Sequence, residues 1–213
     1  ANENGEAVEG GRYRFDPETM RMLRESSGRV VEFATVGSDR DVYSEHMRVA
    51  TEMLGEERYF DAEERFTRAM AVRRGDITAR IGRAHAQLGA GLFLSAGVNL
   101  RNLLREHPEI ASARYDARLL PAGERLGQTV IVLRQTLSEG GEISKQAAML
   151  LAYVGFQAGQ IDVAREGLDA MRASSYVDRT GATRERSPDP LAELLAEIWL
   201  PLLEGAGGGG PPR

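Results

Sequence analysis

The chain has 213 residues, of which 42% are hydrophobic and 28% charged, with a net charge of −5 and no cysteine. That composition excludes wholesale disorder, and the missing cysteine excludes disulfides, thiolate metal centres and cysteine nucleophiles. The acidic balance argues against a nucleic-acid binder, and no apolar run reaches the 18 residues that suggest a membrane-spanning helix. A soluble protein is expected, either cytoplasmic or exported after loss of a signal peptide.

Residues 1–42 are polar and Gly-rich at the start and read as a largely disordered segment. They carry one short helix signal, in which Asp16 caps and Pro17 takes the first helical position. Val30-Val31-Glu32-Phe33-Ala34-Thr35-Val36 has β-type residues with poor alternation, the mark of a short edge strand or extended segment. Residues 43–178 are almost continuously helix-periodic. Residues 179–188 read as a loop, 189–204 as an apolar helix and 205–213 as a Gly/Pro tail.

The middle region repeats with a step of 34. Tyr59, Ala62, Phe66, Ala69 and Met70 mark one face of an amphipathic helix. The same spacing returns at Phe93, Ala96, Leu100, Leu103 and Leu104, weakly at Gly127, Val130, Arg134, Leu137 and Ser138, and again at Ile161, Ala164, Leu168, Met171 and Arg172. Ala62, Ala96, Val130 and Ala164 thus form a ladder. Twelve residues before each rung stand Ala50, Ala84, Arg118 and Ala152. Two antiparallel helices cross closely where both present small side chains, so each pair marks a crossing. No such hairpin buries its apolar face alone, so neighbours must stack.

A 34-residue helix–turn–helix unit of this kind resembles the tetratricopeptide repeat (TPR) family. Gly55, Tyr59, Ala62, Phe66 and Ala69 carry the likeness in the first unit, Gly91, Phe93, Ala96, Leu100 and Pro108 in the second, and Leu151, Ala152, Gly159, Ala164 and Leu168 in the fourth. There are departures. Glu57 stands in a turn where Gly is usual, and Arg80 and Arg83 replace large apolar residues. The third unit has Arg118 and Arg134 at core positions. Its Pro121 shortens the first helix and opens a second one, which runs to about Ser138 with Leu126, Val130, Leu133 and Leu137 on its apolar face.

The resemblance implies an all-α fold, a right-handed α-solenoid of about four TPR-like hairpins (43–76, 77–110, 111–144 and 145–178) plus a C-terminal capping helix. It also implies a non-catalytic scaffold that binds a protein or peptide in its concave groove. If the register holds, the groove is lined by Met47, Thr51, Ile81, His85, Tyr115, Leu119, Met149 and Tyr153. The same groove could instead be filled by the C-terminal helix or the N-terminal segment. The Lys/Asn/Arg set with which chaperone-docking members clamp a peptide carboxylate is missing.

In the C-terminal segment, Leu191, Leu194, Leu195, Ile198, Trp199 and Leu202 fall on one side of a helix capped at Asp189-Pro190, which Pro201 should kink or end. This helix either caps the last repeat or docks through Leu195, Ile198, Trp199 and Leu202 on another chain, which would make the protein a self-association or tethering module. Glu193 and Glu197, with no basic residue, argue against a membrane surface.

Catalytic chemistry finds little support in the sequence. His46, His85 and His107 are far apart, and adjacent carboxylates such as Glu63-Glu64 do not face one another on a helix. Leu88-Gly89-Ala90-Gly91-Leu92 lacks the strand and lysine of a phosphate loop and falls at an inter-helix turn. The arginines at 65, 68, 73, 74, 80 and 83 read as solvated faces diluted by Glu63, Glu64 and Asp76. No enzyme activity, metal or cofactor is expected. Lys145 is the only lysine in the chain; the other basic side chains, apart from histidine, are arginines.

Overall fold

The computed structural model describes residues 30–31, 42–116, 119–121 and 123–207. The helix signal at 16–19, most of the apolar stretch 30–36, Arg118 and the end of the tail lie outside the described residues. The fold is all-α. Among the described residues eight α-helices follow in order: α1 (Val42–Gly55), α2 (Tyr59–Val72), α3 (Ile77–Gly89), α4 (Phe93–Glu106), α5 (Gly123–Thr136), α6 (Gly141–Ala158), α7 (Ile161–Arg172) and α8 (Leu191–Gly207). Strands are two or three residues long: β1 (Val30–Val31), β2 (Arg114–Tyr115), β3 (Ser175–Val177) and β4 (Thr183–Glu185). The described residues divide into two compact units. One, the N-terminal unit, holds 30–108 and 115–132; the other, the C-terminal unit, holds 109–114 and 133–207.

In the N-terminal unit α1 packs on α2, α2 on α3 and α3 on α4. The ladder alanines explain the close approach, since Ala50, Ala62, Ala84 and Ala96 are all buried. Phe66 and Leu100, 34 residues apart, are buried as well. Asp76 caps α3 by accepting from the Ala79 N–H at 2.8 Å. A polar seam joins three helices: Gln87 donates to Glu63 at 3.0 Å and accepts from Asn99 at 2.7 Å. Arg80 and Arg83, in place of the family's apolar residues, reach Glu106 at 2.6 Å and Glu63 at 3.3 Å.

The hairpin turns repeat with the helices. Backbone N–H groups at Glu57 and Arg58 close the end of α1, those at Gly91 and Leu92 close α3, and those at Gly159 and Gln160 close α6 in the same pattern. Glu57, Gly91 and Gly159 all take left-handed φ, at 60°, 78° and 69°. Such a cap satisfies the last carbonyls and favours Gly, so Glu57 carries backbone strain that its two counterparts avoid.

The third unit departs from a hairpin. Among the described residues no α-helix lies between α4 and α5. A 3₁₀ turn (Pro108–Ser112), β2 and a bend at 119–121 stand in its place. The described residues therefore contain three helical hairpins, α1–α2, α3–α4 and α6–α7, with α5 as a single helix, where four hairpins were expected. Pro121 precedes α5 instead of opening it, and a 3₁₀ turn (Leu137–Glu139) follows Thr136. Val130 and Leu133 are buried on the expected face, with Leu126 and Leu137 half-buried.

In the C-terminal unit α6 is buried almost all round from Gln146 to Gln157. Its crossing with α7 is tighter than the alanine ladder alone suggests. A methyl group placed on Gly155 would lie 2.3 Å from the Ala164 backbone nitrogen, and one on Gly167 would lie 2.2 Å from that of Ala152. Strand β3 ends the stretch expected to be the fourth repeat and β4 replaces part of the expected loop at 179–188; the two pair antiparallel, Tyr176 opposite Arg184. Asp178 shapes their turn by accepting from the Thr180 hydroxyl, from Arg184 and from the Thr180 and Ala182 N–H groups, and these partners, the hydroxyl first, hold its carboxyl far below the usual range.

The final helix α8 packs on α7. Asp189 Oδ1 accepts from the Leu191 N–H at 3.0 Å, which caps α8 as expected. Arg172–Glu193 at 2.9 Å and Arg165–Glu204 at 2.6 Å tie opposite ends of the two helices and show them antiparallel. Pro201 neither ends the helix nor stops it at 204, because α8 continues to Gly207. Pro201 and Glu197 both face solvent, so the carbonyl deprived of its N–H partner is open to hydration.

Candidate functional site

Of the eight residues expected to line a groove, six are buried and two half-buried. Met47 and Thr51 are half-buried on α1, where the Thr51 hydroxyl donates to the Met47 carbonyl at 2.9 Å. Ile81, His85, Tyr115, Leu119, Met149 and Tyr153 are all buried. The reason is local. In the N-terminal unit Tyr115 and Leu119 meet His85 of α3. In the other unit α8 presents Trp199 to Tyr153.

Ile81, His85, Tyr115 and Leu119 belong to the N-terminal unit, where His85 meets both Tyr115 and Leu119. The His85 and Tyr115 rings meet edge to face, with centroids 5.2 Å apart. His85 also hydrogen-bonds to the Leu119 backbone. Burial pushes the imidazole down to about 4 and pushes the Tyr115 phenol up, so both are uncharged at neutral pH. The pair serves as packing between α3 and the segment after β2.

A pH dependence follows. Below the ordinary value of 6.5 the unfolded chain binds a proton that the folded one refuses until about pH 4. Stability of the N-terminal unit is therefore expected to fall as pH drops through that window. The slope is about 1.4 kcal/mol per pH unit, for a total of about 3 kcal/mol. Urea unfolding at pH 7, 5.5 and 4.5 checks this, with His85→Gln flattening the His85 contribution.

The residues proposed for docking through the last helix are mostly committed within the C-terminal unit. Leu195, Ile198 and Trp199 are buried and Leu202 is half-buried. Trp199 stacks on Phe156 with ring centroids 5.1 Å apart and planes 10° apart, and its indole N–H donates to the Ala111 carbonyl at 2.6 Å.

Apolar side chains do reach solvent elsewhere, at positions not expected from the groove register. Among the described residues, eight of the nine exposed large apolar side chains lie in the N-terminal unit. Phe60 on α2 is 66% exposed. Leu94, its counterpart 34 residues on, is 46% exposed on α4. Val98 and Val132 repeat the pattern on α4 and α5, at 38% and 41%. The signal was present in the sequence as a second 34-residue correspondence, on the faces opposite the ladder.

Among the described residues no group of three or more His, Asp or Glu side chains is placed to hold a metal ion, and no helix is long and apolar enough to cross a membrane. No protein family, characterised protein or solved structure matches the chain.

Proposed function

We propose that this protein is a non-catalytic scaffold for a protein or peptide partner, built from TPR-like hairpins of an α-solenoid. The observation that carries this reading is the repeated exposure of large apolar side chains at Phe60, Leu94 and Val98 on the second helices of the first two hairpins. Uncovered apolar side chains at matching positions suit the apolar stripe of a helix or extended peptide. The contact surface is thus assigned to the outward faces of α2 and α4, not to the buried groove positions. The sequential packing of α1 to α4 supplies a rigid frame for it.

A photo-crosslinking amino acid at position 98 tests this reading. It is expected to join a protein partner in extract of the native cell, and Phe60→Asp/Leu94→Asp is expected to abolish the adduct while leaving the circular dichroism unchanged. Adducts formed equally well from the charged position 68 would sink it. The alternative, self-association through α8, needs the face that already holds Trp199 against Phe156.

A further inference from the structure

Lys145, the one lysine among the chain's arginines, stands near the start of α6. Together with Arg186 it lines a shallow crevice that opens to solvent, with Ser187 and Asp189 on the rim and Ala148 and Met171 as apolar wall. Arg186 follows β4 and is half-buried. Its guanidinium donates to the carbonyls of Ala170 and Ala173 (3.1 Å for the latter) and to the Ser144 hydroxyl at 3.4 Å, and lies 5.9 Å from the Tyr176 ring centroid. Every one of these partners is neutral. Three of the five guanidinium N–H groups are used, which leaves two. Among the described residues no carboxylate pairs with Arg186 or Lys145. The nearby Asp189 spends Oδ1 on the Leu191 N–H. Two cations against one carboxylate leave the crevice with a net positive charge.

We propose that this crevice binds a phosphoryl group or an equivalent tetrahedral oxyanion, gripped by the Lys145 ammonium and the remaining Arg186 N–H groups. Charge-assisted hydrogen bonds of this kind are the strong ones, and Lys145 supplies a compact, rotatable donor where Arg186 is already fixed by its carbonyls. The phosphoryl group has two sources. One is free phosphate. The other is Ser187 itself, which is exposed, precedes Pro188 and stands on the crevice rim, so that a phosphate carried on it would face the same cations.

Titrating the full ¹⁵N-labelled chain with inorganic phosphate, at ionic strength held constant with sodium chloride, tests the site. Saturating amide shifts are expected at residues 144–145 and 186–187. Lys145→Gln, an exposed change that spares the fold, is expected to weaken binding at least fivefold. Shifts that climb without saturating, that spread over the arginines of α2 and α3, or that survive Lys145→Gln would overturn the proposal. Phosphoserine installed at 187 separates the sources: loss of phosphate binding assigns the crevice to the tethered group, and retained binding assigns it to the free anion.

Discussion

Trp199→Ala is expected to lower the stability of the C-terminal unit by about 3–5 kcal/mol, the range for truncating a large buried aromatic. Trp199 is fully buried, and three separate losses coincide at it. Its ring leaves the stack on Phe156 and the tilted contact with Tyr153, whose centroid is 6.2 Å away. A cavity opens between α8 and α6. The Ala111 carbonyl loses the indole N–H that it accepts at 2.6 Å, and a buried acceptor without a donor adds its own cost. Urea unfolding followed by far-ultraviolet circular dichroism measures the change, since the variant has no tryptophan to report. Trp199→Phe is expected to cost less, because the stack survives while the hydrogen bond is lost. A change below about 1 kcal/mol for the alanine variant would mean that α8 is not part of the folded unit.

Gly167→Ala is expected to be nearly as damaging, at about 3 kcal/mol, although it adds only one methyl group. The added carbon would lie 2.2 Å from the Ala152 nitrogen and 2.6 Å from its Cα, which are backbone atoms of α6. A side chain can rotate away from such a clash, but backbone cannot, so α7 must shift along its whole length. Intrinsic propensity runs the other way, because Ala is the better helix former by about 1 kcal/mol. Gly127→Ala separates the two effects. Gly127 sits in α5 with nothing within 4 Å of the added carbon, so there the substitution is expected to stabilise by roughly 0.5–1 kcal/mol. Thermal unfolding of the two variants side by side gives opposite signs if helix contact, not propensity, governs Gly167. Equal small effects would show that the α6–α7 crossing is looser than its geometry.

Much of the helix order was legible in the sequence. The ladder at Ala62, Ala96 and Ala164 placed three second helices, and Ala50, Ala84 and Ala152 placed their partners. The turn at Glu57 matched Gly91 and Gly159 in position, and the structure gives all three the same left-handed backbone. The glycines that make the closest α6–α7 contacts, Gly155 and Gly167, were not read as crossing residues. A glycine in a helix registers as weak propensity, and only the opposing backbone reveals its use. The site was far less legible. A register shared with a known repeat assigns faces by analogy, whereas burial depends on what lies over each face. The outward apolar residues were visible as a correspondence between Phe60 and Leu94, yet a pattern of apolar residues does not say which face the fold covers.

By itself the sequence determined the all-α class, the helices that carry the alanine ladder and the cap at Asp189. These follow from contacts between residues one turn or one helix apart, which leave a periodic trace. Only the tertiary structure decided that the described residues from Ala113 to Pro121 contain no α-helix, that His85 is enclosed and that the Trp199 face turns inward. Those outcomes rest on contacts such as the Trp199–Ala111 hydrogen bond, which spans 88 residues. Long-range closure of that kind leaves no period in the chain, because each partner's identity is compatible with either an exposed or a buried face until the other arrives.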